Sequence, residues 1–360
     1  MTNNNKTRIV VGLSGGVDSS AAASLLVEQG YDVVGITLKV WPQDCIARAE
    51  DKCCGPQAVM DARSVADKLD IPYYLVDESK EFQRDVIDYF AAEYKAGRTP
   101  NPCVMCNEKL KFGNLIDRAR KLGAEYVATG HYARLEQRDG RTVLLRGRDA
   151  RKDQTYFLFS LGQEQLAHMM FPLGELQKSE TREVARCVNL KTAEKQESQE
   201  ICFVPDKDYK KFLTTAGLVE EHRGEIVDTR GQVLGHHDGI EFYTIGQRKG
   251  LGISSPTPMY VIELDPENNR VVVGGEELLL RDEFRIDRCN WIAFERLAKP
   301  IEASAAIRYN HPGTEATVIP GENGQATVKL REPQRAVTPG QACVFYQDDL
   351  VVGGGWIMRN

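Results

Sequence analysis

The string Ser14-Gly15-Gly16-Val17-Asp18-Ser19-Ser20 stands between an apolar run, Arg8 to Leu13, and a helical run, AAASLLVEQ. Two glycines let a backbone approach an anion closely, and hydroxyls with the N–H groups of a helix start can cradle phosphate. No Lys follows, so this is not a Walker A loop, and the spacing is not GxGxxG. The bland alternative is a Gly-rich turn with Asp18 as the helix N-cap. A second candidate is Cys103-Val-Met-Cys106, after Thr99-Pro100-Asn101-Pro102 and ahead of a helix expected from about Glu108 to Leu122. A helix N-terminus and the neighbouring Lys109 and Lys111 would favour the Cys106 thiolate. A lone CxxC is equally half a zinc site, a redox pair or two buried thiols; no second CxxC completes a zinc site, although Cys53 and Cys54 could contribute. The third candidate is Cys202, in Glu197-Ser-Gln-Glu200-Ile-Cys202-Phe203. Alone, a Cys between Ile and Phe reads as core. Together the three suit adenylation of an oxygen followed by attack from sulfur.

Those residues need a frame. Strands are expected at Arg8 to Leu13, Asp32 to Val40, up to Asp77, and around Glu125 to Tyr132. Helical spacing separates them, with Val59, Ala62, Val65, Ala66 and Leu69 on one face of the second helix. Strands alternating with helices of this length predict a doubly wound α/β domain with a parallel sheet. After about Pro205 short strands and hairpin turns take over, as in MYVIELD-PENN-RVVVGG from Met259. From about Phe284 the chain reads as all-β and suits a small barrel. The expected domains are therefore 1–204, 205–278 and 279–360.

The chain has 360 residues, 27% charged and 42% hydrophobic, which excludes a mainly disordered protein. No apolar run approaches the ~18 residues of a membrane span, and the start lacks the pattern of a signal peptide. A cytoplasmic protein without a membrane partner is expected. Its nine cysteines then suggest catalysis or metal binding before structural disulfides. A net charge of −6 argues against a wholly basic nucleic-acid binder but allows local basic patches.

The phosphate string resembles the PP-loop of the N-type ATP pyrophosphatases, which cleave ATP to AMP and pyrophosphate while adenylating a substrate. With GRTPNPCVMCNEKLKF, ATGHYAR, KDQTYFL, ESQEICFV, YTIGQRKGLG, RYN and PGQACVFY in order, the whole chain resembles the bacterial tRNA-specific 2-thiouridylases. The resemblance implies a PP-loop domain, a small central β-rich domain and a C-terminal β-barrel. It places ATP, with Mg2+, on Gly12, Leu13, Ser14, Gly15, Gly16, Val17, Asp18 and Ser19, with its nucleoside near Leu38 and Gly130. It makes Cys202 the persulfide carrier and Cys106 the second catalytic cysteine, which releases the sulfur by forming a disulfide with Cys202. The sulfur comes from a cysteine desulfurase or a relay protein. The substrate is the wobble uridine of glutamate, lysine and glutamine tRNAs, its flipped base meeting Asn101, Pro102 and Cys103. His131, Lys152, Asp153, Gln154, Arg308, Tyr309 and Gln341 are carried over as tRNA contacts. For His131 the plain alternative is a strand end, and for 152–154 a solvated charged face.

One departure matters. Many members carry Asp, the proposed acid/base, where this chain has Cys103. A thiol fills that role weakly, yet it makes a trio, Cys103, Cys106 and Cys202, able to hold three irons of a 4Fe–4S cluster. The sequence leans to the cluster over the persulfide relay. Cys45, Cys53 and Cys54 are expected to be non-catalytic, and Cys187, Cys289 and Cys343 to be core. Two other classes compete: an amide-forming PP-loop synthetase, which would need no cysteine trio, and an RNA-binding or cluster-carrying protein without turnover.

Overall fold

The computed structural model describes residues 6–40, 55–195, 201–204 and 208–359. Cys45, Cys53, Cys54 and residues 197–200 lie outside them. The chain forms two compact units, one of Met1–Val86, Cys103–Pro205 and Asp349–Val351, the other of Ile87–Pro102, Asp206–Asp348 and Val352–Asn360.

In the first unit, strands β1 (Arg8–Gly12), β2 (Asp32–Lys39), β3 (Tyr73–Asp77) and β4 (Tyr126–Ala128) are parallel neighbours. The hairpin β5 (Ala133–Arg138) and β6 (Arg141–Arg146) follows, then β7 (Met169–Met170), which pairs in parallel with β4. The sheet order is β3-β2-β1-β4-β7, the doubly wound arrangement expected. Strand order reverses between β1 and β4, and in such sheets ligands bind at that switch point, beyond the C-terminal strand ends. Helix α1 (Val17–Glu28) buries small residues nearly all round, Ala21, Ala22 and Ala23 among them, so it lies close to the sheet. Helix α2 (Pro56–Leu69) buries Ala58, Ala62, Val65 and Ala66. A helical run over 79–95, α3, begins in this unit.

Helix α4 starts earlier than Glu108. Its stretches Pro102–Met105, Cys106–Asn114 and Leu115–Lys121 are continuous, with Cys106–Asn114 wound as a π-helix. Proline suits the first helical position, where its missing N–H has no partner to lose. Helix α5 (Lys178–Cys187) packs on α1. Cys187, expected in the core, is exposed as the last residue of α5.

The second unit holds two sheets. Strands β8 (Gly224–Val227), β9 (Val233–His237), β10 (Tyr260–Asp265) and β11 (Arg270–Gly274) make one, in the order β10-β11-β8-β9. Strands β12 (Leu280–Trp291), β13 (Ile301–Ala306), β14 (Thr314–Pro320), β15 (Ala326–Arg335), β16 (Ala342–Gln347) and β17 (Leu350–Ile357) make the other. Pairing of β12 with β17 closes it into the barrel expected, around Phe284, Ile286, Val318, Val328, Cys343 and Phe345. Among the described residues no helix is long and apolar enough to cross a membrane.

Candidate active site

The phosphate string lies at the switch point. Gly15 has φ +68°, and a Cβ there would stand 2.2 Å from the Ala58 carbonyl oxygen of α2. Ser14 N–H donates to Ser19 Oγ at 3.1 Å, and Ser19 Oγ lies 3.1 Å from Ser14 Oγ and 3.2 Å from the Gly16 carbonyl. The loop is thus set by its own hydroxyls before any ligand arrives, and the first turn of α1 points its N–H groups outward. Leu13 is buried, and its carbonyl accepts from Thr37 Oγ1 at 2.7 Å. Leu38 follows on β2, half-buried.

Asp18 is not the N-cap; Gly16 is, without a capping side chain. Asp18 instead accepts from Tyr132 Oη at 3.0 Å and from Lys178 Nζ at 2.6 Å. Tyr132 Oη also lies 2.9 Å from Thr181 Oγ1. The sequence reading named none of these partners. The nearby Lys195 Nζ joins the Gly15 carbonyl, at 3.1 Å, to Asp61 Oδ2 of α2, at 2.7 Å.

Gly130, beyond β4, meets the same loop. A Cβ there would fall 2.6 Å from Asp18 C and Ser19 N, both backbone. Gly130→Ala must therefore part the β4 end from α1, at the ~1–3 kcal/mol typical of overpacking. Urea unfolding should show that loss, and an unchanged midpoint would contradict the packing described.

His131 lies inside the protein. It is buried, with Nδ1 2.8 Å from Thr129 Oγ1 and its ring against Phe112 and Phe171. Burial, with Lys111 nearby, holds its pKa well below the usual imidazole value. The unfolded chain then binds a proton that the folded one refuses, so stability falls as pH drops below about 6.5. Denaturation from pH 7 to 5 should show this slope, and it should flatten in His131→Phe.

Asp153 is likewise buried. Its carboxylate accepts from Arg146 Nη1 at 3.0 Å, Gly147 N at 3.2 Å and Thr155 Oγ1 at 2.9 Å, which orders the 146–155 loop. Gln154 brackets Tyr132, accepting from its N–H at 3.1 Å. Lys152 is half-buried and Arg151 exposed. Three arginines face carboxylates: Arg118 faces Glu78, Arg120 faces Glu164, and Arg148 faces Glu180.

Asn101 and Pro102 are buried in the second unit. There Gln341 Nε2 donates to the Thr99 and Pro100 carbonyls, at 3.0 and 3.2 Å. Its amide thus clamps the proline loop. Arg308 and Tyr309 are exposed, as a contact surface requires.

Cys103 and Cys106 are three apart on α4, so they share a helix face. Since α4 begins at Pro102, the helix field, which fades within a turn, falls on Cys103 more than on Cys106. The π-helical stretch after them is secured by Gln165 Nε2, which donates to the Glu108 and Phe112 carbonyls at 3.3 and 2.7 Å. Cys202 is fixed by its neighbour Phe203, which is buried edge-on against Phe82 at 5.7 Å. Cys103, Cys106 and Cys202 are half-buried cysteines of the first unit. Among the described residues no three His, Cys, Asp or Glu side chains gather to hold a metal ion. Mg2+ asks less, being held by one or two carboxylates together with substrate phosphates; Asp18 on the loop and Asp61 beside it fit that.

Family models cover nearly the whole chain. A tRNA methyl transferase HUP domain matches residues 7–206, a tRNA methyl transferase PRC-barrel domain 210–275, and an aminomethyltransferase beta-barrel domain 281–357. The chain is 51% identical to the tRNA-specific 2-thiouridylase MnmA of Moorella thermoacetica, over 97% of this chain and 98% of that one. It is 50% identical to that of Clostridium perfringens, over 98% of both chains. Identity to that of Geobacter metallireducens is also 50%, over 99% of this chain and 98% of that one.

Proposed function

Because the chain belongs to the tRNA-specific 2-thiouridylase family, we propose that it replaces the C2 oxygen of the wobble uridine in glutamate, lysine and glutamine tRNAs with sulfur. The observation that carries this reading is one compact unit holding both a preorganised phosphate loop and two half-buried cysteines, Cys106 and Cys202. ATP lies on Gly12 to Ser19, with its nucleoside toward Leu38 and Gly130. The C2 oxygen attacks the α-phosphorus and pyrophosphate leaves. That step makes a poor leaving group into a good one, AMP. The terminal sulfur of a persulfide on Cys202 attacks C2, the C–S bond forms, and AMP departs. The Cys106 thiolate then attacks Cys202 Sγ, breaking the persulfide S–S bond, forming the Cys106–Cys202 disulfide and freeing the thiolated base. A cellular thiol resets the disulfide, and a cysteine desulfurase or a relay protein reloads Cys202. The uridine must leave its stack to be reached, and Asn101 to Cys103 precede Cys106 closely enough to meet it. Mg2+, held through Asp18, would neutralise charge on the phosphates.

The test is mass analysis of wobble nucleosides after unmodified tRNA is incubated with protein, ATP and a sulfur source. Sulfur in place of oxygen, with one pyrophosphate per event, is expected. An added methyl group would overturn the reading. Cys103→Ala separates the relay from a cluster: the relay survives it, whereas a cluster needs a third thiolate.

Binding of tRNA should weaken with salt despite the net charge of −6, since paired phosphates release counterions. Reversing charge at Arg151 and Lys152 should weaken all three tRNAs about equally, because phosphate contacts carry no sequence information. Unchanged affinity in a filter-binding titration would put the RNA elsewhere.

A further inference from the structure

Between Gly12 and Ser20 the sole ionised side chain is the Asp18 carboxylate. A polyphosphate arriving there meets a like charge, which a nearby cation would offset. The cation comes from 160 residues downstream. Lys178 opens α5 and sends its ammonium to Asp18 Oδ1, 2.6 Å away, with a side chain only 12% exposed. Its Nζ lies 5.7 Å from the centre of the Tyr132 ring, and Tyr132 is itself held between Asp18 and Thr181. The backbone that aims it is fixed as well. Lys178 N–H donates to Asp149 Oδ2 at 3.0 Å, and Gln177 N–H to Glu180 Oε2 at 2.6 Å. Lys195 is differently employed, since it ties the Gly15 carbonyl to Asp61.

A sequestered ammonium needs an anion beside it. Asp18 provides one in this structure, and a phosphate would provide a stronger one. An ammonium carries three donors, so it can turn from carboxylate to phosphate without leaving the loop. We propose that Lys178 is the phosphate-binding lysine that the loop itself lacks. It rests on Asp18 when the loop is empty and donates to oxygens of the β–γ unit when ATP is bound. This rests on the ATP reading above. Charge builds on that unit as the bond from the α-phosphorus to the bridging oxygen breaks, and the bond's electron pair leaves with pyrophosphate. Lys178 stays protonated throughout.

Calorimetric titration of the full-length protein with ATP, AMP and inorganic pyrophosphate tests this, using wild type, Lys178→Met and Lys178→Arg. Lys178→Met should weaken ATP and pyrophosphate about tenfold to a hundredfold, as for a lost charge-assisted hydrogen bond, and leave AMP unchanged. Lys178→Arg, which keeps the charge and can still face Asp18, should recover part of the loss. Equal weakening of ATP and AMP would mean a merely structural role and would overturn the assignment. Unchanged ATP affinity in Lys178→Met, with wild type binding ATP, would overturn this assignment alone. A wild type that binds no ATP would overturn the ATP reading and this assignment with it.

Discussion

Cys202→Ser should still release pyrophosphate when given ATP and tRNA, yet make no thiolated nucleoside. The rate of thiolation should fall by at least about a thousandfold, as when a catalytic nucleophile is removed. Serine nearly matches cysteine in shape, and Phe203 against Phe82 holds the turn whichever atom stands at position 202. A hydroxyl cannot carry sulfane sulfur, so the loss is chemical and not structural. Cys106→Ser should differ in one respect. Sulfur would load onto Cys202 and attack, but the product would stay joined to the protein through a disulfide that Cys106 cannot open. Denaturing electrophoresis of labelled tRNA would reveal the adduct. Full thiolation by Cys202→Ser would remove Cys202 from the mechanism.

Asp18→Ala should slow pyrophosphate release by about a hundredfold to a thousandfold, the range for losing one preorganised electrostatic contact at a reacting centre. Two effects combine. The carboxylate that would hold Mg2+ is gone, and Lys178 and Tyr132 lose the group on which both converge. Asp18→Asn retains the shape and an oxygen for Tyr132 but not the charge, so it should fall between wild type and Asp18→Ala. A wild-type rate in Asp18→Ala would mean that this loop does not hold the reacting phosphate.

The parallel sheet was legible because β1 and β2 are apolar and α2 shows one clean face. The phosphate loop was legible because its glycines and serines are consecutive. Its electrostatics were not, because Asp18 is met by Tyr132 and Lys178, 114 and 160 residues away. No periodicity announces such a meeting. Two further signals are local: Pro102 is well suited to open a helix, and Asp139-Gly140, with positive φ at both residues, is a hairpin pair. His131 and Asp153 show another limit. Their strings identify the family, but not their burial: His131 packs with Thr129, Phe112 and Phe171, and Asp153 holds the 146–155 loop.

The Gln341 clamp has a consequence for the order in which a newly made chain matures. Thr99 and Gln341 are 242 residues apart. At the usual ~5–20 residues per second of synthesis, the Thr99 carbonyl is made roughly 12–48 s before its donor. The parallel sheet, complete by Met170, does not have to wait. The nascent chain can therefore carry a formed phosphate loop while the segment leading into Cys103 is still unanchored. Chaperones and proteases act on such a half-anchored species, so substitutions at Gln341 should lower the yield of protein in cells more than they lower the stability of what has folded.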